Sequence, residues 1–161
     1  MENGAMEVLH VSEVRRRMAT DFSLLLSVPP ADRTRAQRTL SAVHSRLEEL
    51  EKEISEFDPD SPIYFLNHAE PHDPVELPKA ACLLWRRALE LKELSGGAFD
   101  PGVKSNAGSL GFHFDFERRV AWRLDEGARI SFAAIGKGFG IDLARRAIEV
   151  EGFYDYLLCA G

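Results

Sequence analysis

The chain has 161 residues, 45% of them hydrophobic and 29% charged, with a formal net charge of -6. That composition suits one soluble globular domain with its own core and excludes a disordered or membrane-embedded chain. The negative balance argues against a nucleic-acid partner, which wants a basic face, but leaves room for small anionic ligands where donors converge locally.

Met1 to Met6 carries no basic stretch followed by an apolar run, and no window reaches the roughly 18 apolar residues of a membrane span, so a cytoplasmic protein without a membrane segment is expected. Val8 to Val14 and Phe22 to Val28 are β-like pieces around the Arg15-Arg16-Arg17 triplet. The second is apolar on both faces, as a buried strand would be. The triplet reads as a solvated edge in preference to an anion site.

From Asp32 to Phe57, apolar residues recur at helical spacing: Leu40, Val43, Leu47, Leu50, Ile54 and Phe57. Phe57-Asp58-Pro59-Asp60-Ser61-Pro62 then forces a turn. A calcium loop starting at Asp58 fails, because the required glycine is Ile63 and the required glutamate is Ala69. Ile63 to Asn67 forms a short helical turn, and His68, Glu70, His72 and Asp73 follow on a proline-broken loop that gives metal ligands no fixed geometry. Pro78 opens a helix to Leu94, with Cys82 as a small core residue and Trp85 in the core. Cys82 and Cys159 have no paired spacing and are expected as free thiols.

Ser95-Gly-Gly-Ala-Phe-Asp-Pro101 stops that helix: two glycines supply positive-φ positions, and the proline prevents resumption. A terminator alone has no need of Phe99 and Asp100. The chain is then glycine- and asparagine-rich through Gly111, and aromatic from Phe112 to Phe116. Val120 to Leu124 and Arg129 to Phe132 are strand-like, with hairpin chemistry at Asp125-Glu126-Gly127. Ala133 to Gly140 reads as a small-residue bridge, Ile141 to Val150 as a third main helix, and Tyr154 to Cys159 as a last strand. The whole predicts an α+β fold over residues 1–161, a mixed or antiparallel sheet with three main helices.

Gly136-Lys137-Gly138-Phe139-Gly140 before a helix offers backbone N–H groups and an ammonium to a phosphate, although tight packing is the commoner reason for such glycines. The Walker loop fails at Gly138 and Phe132, and the dinucleotide fingerprint fails at Ile141. No Gly-x-Ser-x-Gly, Cys–His pair or zinc spacing occurs, so the catalytic residues stay unassigned.

Four stretches in order resemble the ApbE family of FAD:protein FMN transferases: Met18-Ala19-Thr20, Phe57-Asp58-Pro59-Asp60-Ser61 through Leu66-Asn67, Gly96-Gly97-Ala98-Phe99-Asp100-Pro101, and Ile135-Gly136-Lys137-Gly138 through Asp142. The closing Leu-Leu-Cys-Ala-Gly resembles a strand before a glycine pair. The resemblance implies FAD held at Ala98, Phe99 and Asp100, with Met18 and Phe57 near the flavin or adenine and Lys137 near the phosphates. It also implies Mg²⁺, with one ligand from the Ala134 carbonyl, and transfer of FMN to a Ser or Thr of an electron-transfer partner protein. Ser131 stands where the family usually carries Asp, and Phe57 where it often has Tyr. The resemblance covers the first half to two-thirds of a typical member, so the segment bringing further magnesium ligands is expected to be absent. A non-catalytic FAD-binding module stays open beside the enzyme.

Overall fold

The computed structural model describes residues 7–103 and 111–161; the glycine- and asparagine-rich stretch 104–110 and residues 1–6 lie outside them. Packing divides the chain into two compact units, Met1–Glu49 with Lys137–Gly161, and Leu50–Gly136.

In the first unit, strands β1 (Leu9–Arg17) and β2 (Thr20–Val28) pair antiparallel from Leu9 opposite Val28 to Arg17 opposite Thr20. Only Met18 and Ala19 join them, with φ of 49° and 60°, the double left-handed turn that matches strand twist. The arginine triplet is therefore strand and not connection. Arg15 pairs with Glu13 and Arg17 with Glu48 at 2.9 Å, while Arg16 donates to the Ala19 carbonyl at 3.2 Å.

The last strand of the chain, Tyr156–Ala160, pairs antiparallel with the other side of β2. That central position explains the apolar character of β2. Phe22, Leu24, Leu26 and Val28 are buried with Leu40, Val43 and Leu47 of helix α1 (Arg33–Ile54) and with Ala144 and Ile148 of the helix Ala133–Val150. Burying one such Leu or Ile stabilises by about 1.5–3 kcal/mol. Tyr156 donates its hydroxyl to Glu149 at 2.6 Å, and Arg145 adds bonds of 2.9 and 3.0 Å to the same carboxylate. The Tyr156 hydroxyl, then Arg145, hold Glu149 below the usual carboxylate range.

The second unit starts with the end of α1 and holds α2 (Pro62–His68), β3 (Pro74–Glu76), α3 (Lys79–Leu94), β4 (Gly102–Val103), β5 (Phe112–Asp115), β6 (Val120–Arg123) and β7 (Arg129–Ile130). Ser61 caps α2, its hydroxyl accepting from Ile63 N at 3.2 Å. Two antiparallel sheets form, in the orders β3-β6-β5 and β4-β7. Trp85 of α3 is 1% exposed. It stacks on Phe114 with centroids 5.0 Å apart and meets Phe112 and Phe132 edge-on at 5.6 and 6.2 Å.

Two expectations are corrected. Asp125–Gly127 is not a hairpin, since β6 pairs with β3 and β5 while β7 pairs with β4; turn residues mark a reversal but do not choose a strand's neighbour. Nor is Ala133–Gly140 a bridge: the last long helix, α4 (Ala133–Val150), begins at Ala133 and runs through all three glycines. Helix propensity disfavours Gly here, but packing overrides it. A Cβ at Gly140 would sit 3.2 Å from both Leu47 Cδ2 and Phe22 Cε1, and one at Gly136 would sit 3.1 Å from Ile54 Cδ1.

Candidate functional site

The turn after α3 is built around Lys92. Its carbonyl accepts from Gly97 N at 2.9 Å and from the Ser95 hydroxyl at 3.1 Å, and its ammonium pairs with Asp100 Oδ2 at 2.7 Å. Gly96 and Gly97 take φ of 61° and 86°, the left-handed values that end a helix. Nothing lies within 4 Å of where their Cβ atoms would be. Ser95 is used twice more, its carbonyl accepting from Ala98 N at 3.2 Å and its hydroxyl from Phe99 N at 3.0 Å. Asp100 Oδ1 accepts from Gly102 N at 2.9 Å, which carries the chain into β4.

The glycines therefore do not act as donors. The N–H groups of Gly96, Gly97, Ala98 and Phe99 are all consumed inside the turn. Gly136 N is likewise bonded to the Phe132 carbonyl at 2.7 Å, within α4. The space over Gly96 and Gly97 is free of side chains, and among the described residues no bond is made to the carbonyls of Ala98 and Phe99. Asp100 is neutralised by Lys92, so it repels an anion less than a free carboxylate. The turn suits a ligand that brings hydrogen-bond donors and an aromatic or apolar face.

Ser131 lies one residue beyond β7, and its N–H donates to the Pro101 carbonyl at 3.0 Å. Its hydroxyl donates to Glu56 Oε1 and accepts from Ala133 N at 3.3 Å. Glu56 precedes Phe57, whose ring is 81% exposed. The Ser55 hydroxyl accepts from Phe57 N at 3.2 Å and Asp58 N at 3.1 Å, which fixes this turn. Asn67 secures β7 from behind: its amide donates to the Ile130 carbonyl at 2.9 Å and accepts from Ile130 N at 2.8 Å. Arg123, 5% exposed, donates to the carbonyls of Asn67, Ala69 and Glu126 and so closes the end of α2.

Phe57, Ala98, Phe99, Asp100, Ser131 and Ala134 all belong to the second unit; Met18 and Lys137 belong to the first. Within the second unit, backbone bonds link Ser131 directly to the strand following Asp100. Ala134 is exposed on the first turn of α4 and Lys137 is exposed on the second. Met18 is half-buried against the core of the first unit. Glu56 and Lys92 went unnoticed in the sequence. Each reads there as an ordinary polar position in or just past a helix, and only the tertiary partner distinguishes it.

Among the described residues, no group of three or more His, Cys, Asp or Glu is placed to hold a metal ion. His68 instead bonds the Tyr64 carbonyl at 2.8 Å. No helix among the described residues is long and apolar enough to cross a membrane.

A sequence model of the ApbE family matches residues 18–161. The fold is similar to that of a mutant of the flavin transferase ApbE from Vibrio cholerae, with a TM-score of 0.79 and 17% identity over 95% of this chain and 61% of that one. It is similar to the ApbE protein of Thermotoga maritima at a TM-score of 0.77 and 18% identity, over 95% of this chain and 57% of that one. It is also similar to the Pseudomonas stutzeri flavinyl transferase ApbE at 0.79 and 18%, over 99% and 55%. The chain thus spans 55 to 61% of the length of these proteins. No curated protein matches at the level of sequence.

Proposed function

The chain belongs to the ApbE family, and from that membership we propose that it binds FAD at the Gly96–Asp100 turn and serves transfer of the FMN half to a Ser or Thr hydroxyl of a partner protein. The observation that carries this reading is the turn itself. It is cleared of side chains at two glycines, has its own N–H groups satisfied, and has its one carboxylate neutralised by Lys92. The open carbonyls of Ala98 and Phe99 suit the N–H groups of an isoalloxazine or adenine ring. Phe99 and the exposed Phe57 offer aromatic faces for it. Met18 and Lys137, in the other unit, are assigned to the cofactor by the family resemblance.

In the transfer, the acceptor hydroxyl oxygen bonds to the FMN phosphorus and the pyrophosphate P–O bond breaks. AMP leaves with the electron pair, and the hydroxyl proton passes to a base or to water. No oxidant or reductant is needed. Mg²⁺ belongs to the same reading through the Ala134 carbonyl, but a single backbone carbonyl with no carboxylate cluster among the described residues is not a magnesium site. The partner is proposed as a protein of an electron-transfer system.

Incubating the chain with FAD, Mg²⁺ and a Ser- or Thr-bearing acceptor peptide, with mass spectrometry of the peptide, tests this. FMN on the peptide and free AMP are expected. FAD bound but never consumed would leave a flavin-binding module and remove the transferase.

A further inference from the structure

Ser131 is assigned to the cofactor by resemblance, but its hydroxyl has no hydrogen left to donate. A serine hydroxyl has one hydrogen to donate and two lone pairs to accept with. The hydrogen goes to Glu56 Oε1, and one lone pair takes Ala133 N at 3.3 Å. Ser131 therefore has no hydrogen to donate to a ligand, and the free charged acceptor of the pair is the carboxylate it holds.

Glu56 is placed for that task. It is half-buried, so its carboxylate is partly shielded from water. Oε1 is fixed by Ser131, and Oε2 has no partner among the described residues. Its neighbour Phe57 presents an exposed ring on a turn pinned by the Ser55 hydroxyl. Through Ser131 N and the Pro101 carbonyl, the same carboxylate is tied to the segment that follows Asp100. The Ser131 hydroxyl thus holds one carboxylate oxygen and leaves the other without a partner among the described residues, on the turn that carries the exposed Phe57 ring and beside a serine whose backbone is bonded to the segment following Asp100.

Resting on the flavin-nucleotide reading, we infer that Glu56 is a ligand-binding residue of this site and that Ser131 is its positioning residue. Glu56 accepts a hydrogen bond from a neutral O–H or N–H donor of the nucleotide, a ribose or ribityl hydroxyl or a ring N–H. A carboxylate repels phosphate oxygens, so it serves the nucleoside or flavin portion and not the pyrophosphate. A charged acceptor makes the stronger kind of hydrogen bond. The same use of a carboxylate on a ribose hydroxyl is the rule in dinucleotide-binding folds.

FAD, FMN and ADP are titrated by calorimetry against the parent chain, Glu56→Ala, Ser131→Ala and Ser131→Thr, with a thermal melt of each. Glu56→Ala is expected to melt with the parent and to weaken FAD about tenfold or more. An equal loss for ADP with FMN unchanged places the donor in the adenosine half; the converse places it in the flavin half. Ser131→Ala weakens FAD in the same direction, and Ser131→Thr restores it, which loss of a merely structural hydroxyl in a stable variant would not do. Parent-like FAD affinity in Glu56→Ala overturns the inference while leaving the flavin site intact. A parent chain that binds none of the three nucleotides overturns both.

Discussion

The side-chain amide of Asn67 and the backbone of Ile130 exchange two hydrogen bonds, of 2.8 and 2.9 Å, across 63 residues of sequence. An asparagine on a helix here acts as one residue of a strand. It supplies β7 with a ladder that the two-residue β4-β7 sheet is too short to provide alone.

Removing that ladder leaves a buried N–H and a buried carbonyl unsatisfied, because Ile130 is fully buried. Asn67→Ala is expected to lower unfolding free energy by about 2–4 kcal/mol. Urea denaturation against the parent measures it; a loss below about 0.5 kcal/mol would show that water or a shifted side chain replaces the amide.

The turn at Met18-Ala19 holds two L-residues at positive φ. Glycine has no Cβ to clash there, and it is the residue this turn prefers at its second position. Ala19→Gly is expected to stabilise the chain by about 1 kcal/mol after allowing for the greater freedom of the unfolded state. A lower denaturation midpoint in Ala19→Gly would mean that the turn is not left-handed at both residues.

Two glycines of one helix are expected to respond oppositely. Gly140→Ala drives a methyl against Leu47 and Phe22 at 3.2 Å, and costs about 1–3 kcal/mol. Gly138 has nothing within 4 Å of the Cβ position, so Gly138→Ala gains about 0.5–1 kcal/mol of helix stability. Thermal melts of both variants check the pair; equal and small shifts would remove packing as the reason for Gly140.

His44 is fully buried on α1, with Nε2 3.3 Å from the Glu13 carbonyl and Nδ1 without a partner among the described residues. Burial holds its pKa below the ordinary histidine value, against the opposing pull of the Glu13 backbone bond and charge. The unfolded chain therefore takes up the proton first. The stability from neutral His44 is complete above about pH 6.5 and is lost as pH falls from there, by up to about 1.4 kcal/mol per unit until the folded form also protonates. Urea midpoints at pH 7.5 and 5.5 should diverge more in the parent than in His44→Leu; equal divergence would put the pH dependence elsewhere.

Much of the fold is legible from periodicity, and the exceptions have identifiable causes. Leu40, Val43, Leu47 and Leu50 announce α1 because one face meets a core. Val120 and Arg129 announce strands, yet nothing local tells that β6 and β7 join different sheets, since partner choice is a long-range matter. The glycines of α4 hide a helix because their reason is the side chains of Leu47, Phe22 and Ile54. At the site, Gly96 and Gly97 are readable as a helix stop with open space beyond it. The donor role expected of Gly136–Gly140 does not survive, because these residues lie inside α4, where Gly136 N is already bonded to the Phe132 carbonyl. Glu56 has no local signature, since its significance lies in a hydroxyl 75 residues away.

The most direct test is equilibrium titration of FAD into the parent chain and into Asp100→Ala, followed by flavin fluorescence. Losing Asp100 frees Gly102 N and strips Lys92 of its counter-charge, so the end of the turn that leads into β4 is no longer fixed. Saturable FAD binding by the parent, weakened about tenfold or more in Asp100→Ala, is the expected result. The same affinity in both chains, or no binding by the parent, would contradict an FAD cradle at Gly96–Asp100.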